Sequence, residues 1–96
     1  MTGVIEIKRI GADDPFAFEV TIRDGNGETR HYVTLARGDL DRLAAPHAPE
    51  QCVEAAFRFL LDREAKEQIL PRFDISVIRR YFPEFEQELP RYLAQS

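Results

Sequence analysis

The sequence predicts an α+β fold, a three-stranded antiparallel β-meander packed on one central helix and followed by short helices, and three observations carry that prediction. Residues 4–36 alternate apolar and polar side chains in three short runs, the period of half-buried strands. Residues 50–64 then spread apolar side chains over an arc of roughly 240°, against roughly 100° for an ordinary surface helix. Finally, Ile75, Ile78, Phe82, Phe85, Leu89 and Tyr92 recur at alternating spacings of three and four, a seven-residue helical repeat. One sheet face cannot bury so wide an arc, so the tail from Phe73 to Leu93 is expected to press on the central helix from a second side.

The first strand is expected over 4–10, with Ile5 and Ile7 on one face and Glu6 and Lys8 on the other. Gly11 to Pro15 is a turn, since proline fixes φ and removes a donor. Phe16, Phe18, Val20 and Ile22 alternate with Ala17, Glu19, Thr21 and Arg23, giving a strand over 16–23. Asp24-Gly25-Asn26-Gly27 supplies residues that bond their own backbone or tolerate positive φ, so it reads as a hairpin into a third strand over 28–36. There the preferred inward set is His31, Val33 and Leu35, over Tyr32 and Thr34.

Residues 37–43 form a helical turn or two, with Asp39 placed as a cap and Leu40 and Leu43 one turn apart. Residues 44–48 link it to the central helix, where Pro49 suits the first position and Glu50 the positive end of the dipole. Gln51, Glu54 and Arg58 mark its wet side. A short turn is expected over 65–70, stopped by Pro71. Asp74 then caps a helix over 75–81, Pro83 breaks it near Phe82, and a second helix over 84–93 carries Pro90, where a further kink is expected.

With 96 residues the chain reads as a single domain with one modest core. Its net charge of −4 opposes nucleic acid, and eleven arginines against two lysines favour planar carboxylate or phosphate contacts. Only residues 66–82 are locally basic, with four cations against two carboxylates. Neither a basic n-region with a long apolar run nor a membrane-length apolar stretch is present, and the single cysteine, Cys52, excludes an internal disulfide framework. A cytoplasmic protein is expected.

Chemistry-bearing constellations are sparse. His31, His47 and Cys52 match no zinc spacing and lack a fourth ligand, so no metal is expected, and no cofactor motif is present. Cys52 lies in the apolar arc of the central helix, where a thiol behaves as a small hydrophobe. Arg72, Arg79 and Arg80, interleaved with Phe73, Tyr81 and Phe82, form the one basic and aromatic cluster, a candidate anion or nucleic-acid site. Phe85, Leu89, Tyr92 and Leu93 form a candidate interaction surface, because a tail extending past the central helix leaves large apolar side chains in water.

Three functions are compatible with these features. The first is a non-enzymatic interaction module that pairs with itself or with a partner protein through the tail or an exposed sheet edge. The second is an acidic regulator in the style of small antitoxins, which also join a short antiparallel sheet to a helix and bind a basic partner; the likeness is one of element order alone. The third is a small-ligand or anion binder built on Arg72, Arg79 and Arg80.

Overall fold

A computed structural model describes residues 3–11 and 13–95. Strands β1 (Val4–Gly11), β2 (Phe16–Asp24) and β3 (Gly27–Leu35) form the expected antiparallel meander. Helices α1 (Arg37–Ala44) and α2 (Pro49–Leu61) follow, then a 3-10 turn at Lys66–Gln68, strand β4 (Arg72–Asp74), a second 3-10 turn at Ile75–Val77, and helices α3 (Ile78–Tyr81) and α4 (Phe85–Leu93). The fold is α+β, with the sheet ordered β1-β2-β3-β4. Ala12, within the expected first turn, lies outside the described residues.

Alternation dictates the layers. Phe16, Phe18, Val20 and Ile22 of β2 and His31, Val33 and Leu35 of β3 are all buried on the helix side, so the inward set preferred for the third strand is the observed one. The opposite sheet face carries Glu6, Lys8, Arg23, Glu28, Arg30 and Tyr32, all exposed. At the hairpin, the Asn26 amide donates to Asp24 Oδ1 at 2.8 Å, and Gly27 takes φ +127°, a value that L side chains rarely adopt.

In α2, Cys52, Val53, Ala55, Ala56, Phe57, Phe59 and Leu60 are buried, as the wide arc requires. Pro49 opens the helix, and Gln51 Oε1 accepts from the Ala48 amide at 2.8 Å. The helix ends at Leu61, three residues before the expected Glu64. Asp39 is not the N-cap of α1: that position is Ala36, and Asp39 accepts instead from Arg42 at 3.2 Å. Asp74 does cap the turn that follows it, accepting from the Ser76 amide at 3.0 Å.

The larger departures from expectation concern β4 and the tail. The segment Arg72–Asp74 is a fourth strand, parallel to β3, with the Tyr32 amide donating to Pro71 O at 2.8 Å. The tail does not project. Phe82, extended at φ −131° ahead of Pro83, turns the chain so that α4 lies across α2, and Phe85, Leu89 and Leu93 are 1%, 0% and 6% exposed. The helix continues through Pro90, which is exposed, because these three anchors hold it on both sides of the proline. The second cover expected for α2 is therefore α4, with Phe82 packed against Phe59 ahead of it.

Candidate functional site

A groove of about 320 Å³ opens where the end of α2, the crossover into β4 and the start of the tail converge. Its walls are Leu60 from α2, Ile69 and Leu70 from the crossover, Phe73 from β4, and Val77, Ile78, Tyr81 and Phe82 from the tail, with Glu64 and Gln68 as its polar lining. Leu70 and Tyr81, at 43% and 66% exposure, are among the large apolar side chains the fold leaves in water. Exposed apolar residues scattered singly are ordinary, but two beside a concave apolar wall make this groove the candidate site.

The crossover is positioned by polar contacts. His31 is buried and its Nδ1–H donates to Leu70 O at 2.8 Å, which fixes the tautomer, because a carbonyl only accepts. The Thr29 hydroxyl lies 2.9 Å from His31 Nε2. Phe57 stacks between the His31 and Phe73 rings at 5.6 and 5.8 Å, so the strand, α2 and the groove wall share one aromatic row. Behind Asp74, burial alone raises its carboxyl pKa, but hydrogen bonds from Thr34 and Ser76 outweigh that and hold it below the ordinary carboxylate value.

Glu64 is the site's one acidic group. Burial pushes its carboxyl above the ordinary value, and it makes no ion pair among the described residues. It also borders a second cleft of about 310 Å³ on its other side, which is lined by Asp24, Arg58, Asp62, Lys66, Glu67 and Tyr92 among others. There Lys66 is buried and its ammonium donates to Asp24 at 2.7 Å and Glu67 at 2.6 Å, so the one lysine of that cleft is already held between two carboxylates.

The structure divides the basic and aromatic cluster read from the sequence. Tyr81 lines the groove, but Arg72 faces the opposite side of β4 from Phe73, with its guanidinium 5.2 Å from the Tyr32 ring centroid on the open sheet face. Arg79 donates to Glu86 at 3.2 Å, a carboxylate that Arg42 shares at 2.8 Å. Arg80 is exposed and has no ion-pair partner among the described residues. Of the tail set, Phe85, Leu89 and Leu93 are core, and Tyr92 is half-buried with its hydroxyl donating to Asp62 at 2.6 Å. As an exposed stripe that set does not exist, because α4 spends it on α2.

Cys52 is fully buried, and burial, with the nearby Asp39 charge, pushes its thiol up to about 11, far from nucleophilic reactivity. Among the described residues no group of three or more His, Cys, Asp or Glu side chains is placed to hold a metal ion. Among the described residues no helix is long and apolar enough to cross a membrane. Comparison with protein-family models, with curated proteins and with solved structures finds no match to this chain.

Proposed function

We propose that the protein is a non-enzymatic interaction module whose groove takes a large apolar side chain from a partner segment that also presents Lys or Arg to Glu64. The observation that carries this reading is the pairing of exposed Leu70 and Tyr81 with a concave wall built from Leu60, Ile69, Phe73 and Val77. Such a surface suits an apolar anchor flanked by a polar contact, the usual anatomy of a recognition groove. Glu64 supplies the sign: its carboxylate is partly desolvated and unpaired, so a cation brought against it gains more than one brought to a solvated surface. The overall charge of −4 favours approach of the same basic partner. A cytoplasmic site of action belongs to this reading, supported by a single cysteine held inert in the core.

The antitoxin-like regulator is a special case of this reading, since it too needs a basic partner. An anion site is less well supported, because Arg72 and Arg79 are directed to different parts of the surface and already engaged. Selection of a random peptide library displayed on phage tests the proposal. Enriched peptides are expected to combine an aromatic or aliphatic residue with Lys or Arg, to lose binding to Tyr81→Asp and to weaken against Glu64→Gln. Enriched peptides that bind Tyr81→Asp as well as wild type would place recognition elsewhere and overturn the assignment.

A further inference from the structure

The sheet has two edges of unlike character. At one, β4 is three residues long. At the other, β1 offers eight residues, Val4-Ile5-Glu6-Ile7-Lys8-Arg9-Ile10-Gly11, paired to β2 on one side and, among the described residues, to no strand on the other. β1 carries three charges, of which Arg9 is tied to Glu50 of α2, and four of its eight residues are β-branched and apolar. Val4 and Ile10 stand 57% and 53% exposed, and Ile5 and Ile7 are only partly buried. Lys8 makes no ion pair among the described residues.

These residues complement themselves in one register. A two-fold axis perpendicular to a continuous sheet keeps each side chain on its own face, so residues opposite one another must both be odd or both be even in number. With the axis at Ile7, Glu6 meets Lys8 of a second copy twice over on the open face, and Ile7 meets its own equivalent on the helix side. The irregularity between Arg9 and Gly11 falls at the end of this ladder and bounds it. Shifting the axis by one residue, to Glu6 or Lys8, sets two like charges directly opposite each other instead. Of these three registers, the one centred on Ile7 is the one that sets opposite charges against each other.

We propose that β1 pairs antiparallel with β1 of a second copy of this chain about a two-fold axis at Ile7, joining two sheets into one of eight strands. This gives the self-association half of the interaction reading a definite surface, and it uses no residue of the groove, so failure of the groove assignment leaves it standing.

The test is a charge swap read by light scattering over a hundredfold concentration range. Wild type is expected to reach twice the monomer mass, whereas Lys8→Glu and Glu6→Lys, which place four like charges at the axis, each weaken dimerisation about tenfold or more. An equimolar mixture of the two variants is expected to recover the dimer, because each then supplies the other's missing sign. Thermal unfolding of each variant alone checks that these exposed positions leave the fold intact. A wild type that stays monomeric throughout, a dimer indifferent to both substitutions, or a mixture that fails to recover overturns the proposal.

Discussion

Arg63 lies with its guanidinium 3.7 Å from the Phe59 ring centroid, and the same side chain donates to Glu84 at 3.0 Å and to the Tyr92 hydroxyl at 3.3 Å. Phe59 in turn packs edge-on against Phe82, Phe85 and Tyr92, with centroids 5.9, 5.1 and 5.8 Å away. One residue of α2 thereby organises the whole return of the tail, and the cation seals its outer end. Phe59→Ala is expected to cost about 3–5 kcal/mol in urea denaturation, since four partners lose contact at once. Arg63→Ala removes a cation–π contact and three polar contacts near the surface, to Glu84, the Tyr92 hydroxyl and the Phe59 carbonyl, and about 1 kcal/mol is expected. Equal costs for the two would mean that the ring cluster is not the organising contact.

Leu89→Ala separates core from exposed tail. Leu89 is fully buried beneath α2, so a loss of about 2–5 kcal/mol is expected, visible as a lower midpoint at nearly unchanged slope. Arg91, on the exposed side of the same helix, is expected to tolerate Ala within about 0.5 kcal/mol. A neutral Leu89→Ala would show that the tail rests on α2 without contributing to its stability.

Lys66 ties the β2–β3 hairpin to the turn after α2, and the titration of that tie has a definite sign. The Lys66 ammonium lowers the carboxyls of Asp24 and Glu67, and those two, Asp24 first, raise the lysine. For the carboxylates, stability is present above their unfolded value near 4 and is lost as pH falls through the lower folded values. For the lysine, it is present below the unfolded value near 10.4 and is lost as pH rises beyond it. Lys66→Met is therefore expected to melt below wild type at pH 7, with the gap closing below pH 4. A gap that persists at pH 2 would assign the effect to packing of the lysine stem.

How far the sequence reveals this molecule depends on how local each feature is. The three strands of the meander follow from period-two alternation, and α2 from an arc that spans consecutive residues. β4 does not, because Arg72-Phe73-Asp74 is too short to show a period and its hydrogen-bond partner strand lies forty residues away. The tail stripe was legible as apolar but its destination was not: Phe82–Pro83 signals a break, without the direction the chain takes afterwards. The groove was harder still, since its walls come from four separate segments. The aromatic half of the basic and aromatic cluster hinted at it, since Phe73, Tyr81 and Phe82 all line the groove.

Glu64 connects stability to recognition. Burial raises its carboxyl, so the folded protein holds that proton more tightly than the unfolded chain does. For an acid shifted upward, the favourable contribution is present below the unfolded value near 4.3 and disappears as pH rises through the folded value, above which the charge is a standing cost. Glu64→Gln removes that cost while keeping size and hydrogen-bonding capacity. Calorimetric melting at pH 7 is expected to show Gln above wild type, and at pH 3, where both side chains are neutral, the difference is expected to vanish. The same substitution is expected to weaken binding of Lys- or Arg-bearing peptides at pH 7, because the carboxylate that burdens the free protein is the group a basic partner neutralises. A variant less stable than wild type at pH 7 would instead mean that the Glu64 carboxylate is already stabilised within the fold, leaving a cationic ligand little to gain there.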